Sequence, residues 1–123
     1  VKPVLILHGW GGNKPAHWQE HLAARLADAG VPVHYPKMPD PSAPARDPWI
    51  AAAGAAFDQL ADQAHHLTVV AHSLGAITYL HVASAARRRL AERVLLVAPP
   101  YVVPGVPPWS APPEEWSSEY PLL

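Results

Sequence analysis

Leu67-Thr68-Val69-Val70-Ala71-His72-Ser73-Leu74-Gly75 is the stretch that decides how this 123-residue chain is read. A short apolar run leads into a serine, and a helical segment opens directly behind it. The pattern predicts a strand that turns sharply into a helix with Ser73 at the apex, the geometry of a nucleophile elbow. Such a turn is crowded, and Ala71, Gly75 and Ala76 are small enough to flank it. A helix starting at Leu74 aims its first N–H groups and its positive end at charge developing near the Ser73 oxygen. The common form of the motif carries glycine two residues before the serine, where this chain has Ala71. The plainer alternative is a serine that caps an ordinary helix.

Outward from that turn the chain alternates strands and helices. Val4–Leu7 is a continuous apolar run that suits a strand buried on both faces, as in a parallel sheet. Gly9, Gly11, Gly12 and Asn13 mark a loop. Residues 17–29 have helical spacing, with Trp18, Leu22 and Leu26 as the apolar stripe and Gly30 as C-cap. Val31–Tyr35 reads as a second strand, and 36–48 as a proline-rich loop ending in the helix start Asp47-Pro48. A helix over 49–64 with Ile50, Phe57 and Leu60 inward, a strand over 67–71, a helix over 74–90 and a strand over 94–97 complete the pattern. The expected class is α/β, a parallel sheet of about four strands flanked by helices. Residues 1–100 form its core, and 101–123 a Pro-rich irregular tail carrying Trp109, Trp116 and Tyr120.

Bulk composition narrows the function classes. Half of the residues are hydrophobic and 15% are charged, so the chain is no solvated polyelectrolyte. A formal net charge of −1 argues against nucleic acid or an anionic membrane as the main partner. The absence of cysteine removes disulfides, a thiolate nucleophile and cysteine metal ligands, and fits a cytoplasmic setting. No apolar run approaches the ~18 residues of a membrane span. His17 and His21 stand four apart, yet Glu20 is misplaced for a zincin motif and a third ligand is missing, so no metal or other cofactor is expected.

His8-Gly9 after the first strand and Ala71-His72-Ser73-Leu74-Gly75 after the third resemble the α/β-hydrolase superfamily. More narrowly, the chain is similar to the small serine hydrolase family that includes the retinoblastoma-binding serine hydrolase and bacterial YdeN. Asn13-Lys14-Pro15-Ala16-His17-Trp18, Met38-Pro39-Asp40-Pro41 with Trp49, and Val94-Leu95-Leu96-Val97 followed by Ala98-Pro99 support the match. The resemblance covers about residues 3–100 and implies a partial α/β-hydrolase fold. It also implies cleavage of carboxylic ester or related acyl bonds in a small-molecule substrate. Ser73 matches the nucleophile. The oxyanion hole takes the N–H of Leu74 and one near Trp10, while His8, Gly9, Gly11 and His72 lie around the substrate pocket.

One part of that chemistry has no counterpart in the sequence. In this family the acid and the histidine follow the serine, each after a later strand. No aspartate follows Asp62, and the histidine after Ser73 is His81, eight residues along the same helix and about 12 Å of rise away. The chain therefore reads as truncated and weakly active or inactive by itself. A sheet that ends at Val94–Val97 is expected to expose an edge through which copies associate. Two other readings stay open. Gly9-Trp10-Gly11-Gly12 followed by Lys14 is compatible with a phosphate loop of a nucleotide-binding α/β domain, although the dinucleotide and P-loop patterns both fail. A non-catalytic binding module on the hydrolase scaffold is the other.

Overall fold

The computed structural model describes residues 2–100. The Pro-rich tail, with Trp109, Trp116 and Tyr120, lies outside them. The elements run in the order β1 (Val4–Leu7), α1 (Trp18–Asp28), β2 (Val33–His34), α2 (Arg46–Gln59), β3 (Thr68–His72), α3 (Leu74–Ala85) and β4 (Arg93–Val97). The four strands form one sheet in the order β2-β1-β3-β4, every pair parallel. Placing β1 beside β3 brings Leu7 level with Ala71, so the chain leaves both strands at the same end of the sheet.

Each face of the sheet has its own apolar layer. Leu5, Leu7, Val69 and Ala71 pack with Trp49, Ala53, Phe57 and Leu60 of the α2 region and with Leu74 and Ala76 of α3. On the other face Val4, Ile6 and Val70 meet Leu22, Ala23 and Leu26 of α1. All four residues of β1 are buried, as a strand covered from both sides requires. The tryptophan at position 49 is fully buried and donates its indole N–H to the Pro39 carbonyl at 2.7 Å, which anchors the proline-rich loop to the core.

Several boundaries differ from the sequence expectation, each for a local reason. β2 shrinks to two residues, since Pro32 and Pro36 stand close on either side and remove donors from any longer ladder. α1 ends at Asp28 with Ala29 as its cap, and Gly30 follows at φ +80°, so the glycine lies one position beyond the cap. α2 starts one residue before Asp47, with Ala45 at its cap position and no side-chain cap bond, while Asp47 pairs with Arg46 at 2.9 Å. It stops at Gln59, and a single 3-10 turn, Ala61–Gln63, carries the chain onward. α3 ends at Ala85 instead of continuing to Leu90. The Arg87-Arg88-Arg89 run thus follows the helix, with Arg88 paired to Asp58 at 3.0 Å and Leu90 turned into the core.

The two borders of the sheet are unlike. β2 is short, half-buried and bracketed by prolines. β4 is five residues long, and Val94 and Leu95 are exposed on it.

Candidate active site

Ser73 stands between β3 and α3 with φ 55° and ψ −124°, a positive φ that a non-glycine residue adopts at a cost of about 1–3 kcal/mol. Its side chain makes no cap hydrogen bond to α3, which separates this turn from an ordinary serine cap. The backbone holds the strain in place. The Ser73 N–H donates to Val97 O at 3.0 Å, and the Ser73 carbonyl accepts from Ala76 N at 2.9 Å. Ala71 and Ala76 are fully buried on either side.

Two glycines let the two halves of the site approach. A Cβ on Gly75 would lie 2.5 Å from the Leu7 carbonyl oxygen and 2.6 Å from that of His8. The first turn of α3 therefore rests directly on the end of β1. A Cβ on Gly9 would lie 2.9 Å from Ser73 Cβ and 3.3 Å from Ser73 Oγ. The loop after β1 thus passes against the serine side chain itself.

That loop is held by His8. The Met38 N–H donates to His8 Nε2 at 3.0 Å, so Nε2 carries no proton. Nδ1 then bears it and donates to the Gly9 carbonyl at 2.8 Å. Gly9 O accepts a second bond from Gly12 N at 3.2 Å. In a planar trans peptide the N–H points opposite to the C=O. Fixing the Gly9 carbonyl therefore fixes where the Trp10 N–H points. Neither the Trp10 N–H nor the Leu74 N–H donates to another group among the described residues. Trp10 itself is 44% exposed, with its indole bonded to the Ser42 carbonyl at 3.1 Å.

His72 faces the α1 side of the sheet. Its ring lies 5.0 Å from that of His17 and 5.6 Å from that of Trp18, edge-on to the latter. His17 is the N-cap of α1 and accepts the Gln19 N–H on Nδ1 at 3.1 Å. Burial pushes the His8 imidazole below its ordinary value, against an opposing contribution from the bond to Gly9. Burial, with His17 adding to it, does the same for His72. Both groups therefore bind a proton more weakly folded than unfolded. Their contribution to stability is intact above the unfolded value of 6.5 and is lost as pH falls below it. Urea midpoints are expected to drop between pH 7 and pH 5, with a shallower drop in His8→Ala. A flat profile would show that these imidazoles titrate as they do in the unfolded chain.

A cavity of about 350 Å³ opens on the far side of the glycine loop, lined by His8, Gly11, Gly12, Asn13, Glu20, Tyr35, Lys37 and Pro41. Two of the four sequence-predicted pocket residues, His8 and Gly11, line it, whereas Gly9 and His72 lie against Ser73 and α1 instead. Inside it the Asn13 amide donates to the Tyr35 hydroxyl, and burial pushes the Tyr35 hydroxyl up to about 12. As pocket residues Glu20, Tyr35 and Lys37 were not legible in the sequence. Polar residues scattered over a loop, a helix and a strand end carry no periodic signal.

The amides of Gly11 and Gly12 are committed within the protein, to Pro41 O and Gly9 O. α1 begins only at Trp18, well beyond them. A phosphate cradle needs free amides at a helix start, so the geometry disfavours the nucleotide reading. Among the described residues, no group of three or more His, Cys, Asp or Glu side chains is placed to hold a metal ion. None of their helices is long and apolar enough to cross a membrane.

A parallel α/β sheet with a strained serine between strand and helix, facing a glycine loop from the first strand, defines an α/β-hydrolase-like protein. The chain belongs to the serine hydrolase family, whose model matches residues 4–115. Among solved structures it is similar to the ydeN gene product of B. subtilis, at 25% identity and a TM-score of 0.64 over 78% of this chain. It is also similar in fold to a YdeN-like hydrolase from Pectobacterium atrosepticum, at 21% identity and a TM-score of 0.67 over 80% of this chain. The matches cover 50% and 49% of those two chains, so this chain spans about half the length of the solved structures it matches. No match was found among curated proteins.

Proposed function

We propose that this chain is the nucleophile-bearing part of a serine hydrolase that cleaves carboxylic ester or related acyl bonds in a small molecule. Ser73 Oγ attacks the acyl carbon, and the N–H groups of Leu74 and Trp10 receive the oxyanion. The observation that carries this reading is Ser73 at φ 55° with no cap bond, its side chain against Gly9 of the neighbouring loop. Backbone donors fixed before reaction suit an oxyanion hole, and each is worth about 3 kcal/mol of transition-state stabilisation. No cofactor enters this scheme.

A fluorophosphonate ester tests it. The serine oxygen displaces the fluoride at phosphorus and becomes covalently phosphonylated, with fluoride leaving and the hydroxyl proton passing to solvent. Mass spectrometry is expected to place the adduct on Ser73 and to find none in Ser73→Ala. An adduct elsewhere, or no adduct at millimolar reagent over hours, would favour a binding module that retains the scaffold.

The open border of the sheet adds a second expectation. Val94 and Leu95 lie 38% and 54% exposed on β4, which presents backbone groups with no further strand beside them among the described residues. We propose that copies of the chain associate through this strand. Light scattering is expected to show mass rising with concentration, and Leu95→Lys to hold the protein monomeric. A monomer at high concentration without the substitution would refute the association.

A further inference from the structure

We infer that Gln19 is a positioning residue for this site: its carboxamide sets the spacing between the loop that carries Trp10 and the turn that carries Ser73. The inference rests on Ser73 as nucleophile and deepens it. Gln19 stands in the first turn of α1, and its polar side chain is fully buried. Its Nε2 donates to Leu7 O and to Val70 O, both at 3.2 Å. Those carbonyls belong to adjacent strands, β1 and β3. Leu7 lies three residues before Trp10, and Val70 three residues before Ser73. The two N–H bonds of a carboxamide diverge at a fixed angle, so both carbonyls are satisfied at one separation of the strand ends.

The remaining atom of the amide completes the arrangement. Gln19 Oε1 accepts from Asn13 Nδ2 at 2.9 Å, at the far end of the glycine loop. One rigid group thus holds β1, β3 and the loop between β1 and α1. Leu7 is pressed from the opposite quarter by Gly75, whose Cα leaves no room for a side chain against the Leu7 carbonyl. Squeezed by α3 and tied by Gln19, the end of β1 has little freedom to move relative to Ser73. A methionine would fill the same volume without any of these bonds, so packing alone does not call for glutamine.

Gln19→Met in the 123-residue chain tests the inference, with Phe57→Leu as a comparison that loosens the opposite face of the core. Amide hydrogen exchange is read at Gly12 and Ser73, which bond to Gly9 O and Val97 O, and at Phe57 in α2. Gln19→Met is expected to speed exchange at Gly12 and Ser73 at least tenfold beyond any change at Phe57. Its fluorophosphonate labelling of Ser73 is expected to slow at least tenfold, while Phe57→Leu labels at the rate of the unsubstituted chain. Exchange that rises equally everywhere, or not at all, overturns the inference. So does undiminished labelling of Gln19→Met. Absence of labelling in the unsubstituted chain would sink the nucleophile reading instead, and the exchange contrast would still decide the role of Gln19.

Discussion

An alanine at position 75 is expected to lower the stability of the protein by about 3 kcal/mol or more, the upper end of what overpacking costs. On helix propensity alone the change would help, because alanine is favoured over glycine by about 1 kcal/mol in a helix interior. Sterics decide the sign. The added methyl carbon would sit 2.5 Å from one backbone oxygen and 2.6 Å from the next. Neither is the movable end of a side chain. Both belong to residues 7 and 8, where the chain turns from the central strand β1 into the glycine loop. To relieve the clash α3 must lift off the sheet, taking Leu74 and Ser73 with it. Urea denaturation of Gly75→Ala is expected to show a much lower midpoint, and any folded fraction to have lost phosphonylation of Ser73. A midpoint equal to or above that of the parent chain would mean that the close approach of α3 to β1 is wrong.

The second large effect concerns turnover. Ser73 Oγ has no hydrogen-bonded imidazole among the described residues. His8 has both ring nitrogens engaged by Gly9 and Met38, and His72 is packed between His17 and Trp18. A serine without a positioned base is a weak nucleophile. Enzymes that lose one triad member typically drop by about 10⁴-fold or more in kcat. Against a median enzyme turnover of about 10 s⁻¹, the 123-residue chain is expected to hydrolyse p-nitrophenyl acetate more slowly than about 0.001 s⁻¹. Turnover near the median, abolished by Ser73→Ala, would show that a base reaches the serine by a route the sequence did not suggest.

Much of the fold was legible because its signals are local. Val4–Leu7 and Leu67–Ala71 are apolar runs too short for helices, and the segments between them have helical spacing. Ser73 stood out because a strand, a small-residue turn and a helix meet there within nine residues. The phase of α1 was harder. Trp18, Leu22 and Leu26 looked like its inward stripe, yet Trp18 is 38% exposed and the buried residue of the first turn is Gln19. Gln19, Leu22, Ala23 and Leu26 form an equally good helical stripe. Hydrophobicity alone passes over it, because the first member is polar and is buried only by virtue of three hydrogen bonds to distant residues. The role of His8 was hidden for the same reason. A histidine closing a strand says nothing of the Met38 amide thirty residues on that fixes its tautomer.

Among the described residues the sheet is closed on one side and open on the other. Prolines bracket it at β2, while β4 has no further strand beside it among the described residues and hands its Val97 carbonyl to the Ser73 amide. A strand added beside β4 would lie two strand spacings, about 10 Å, from β3 and the turn that carries Ser73. Displacing β4 is therefore expected to shift the Ser73 amide that its Val97 carbonyl holds.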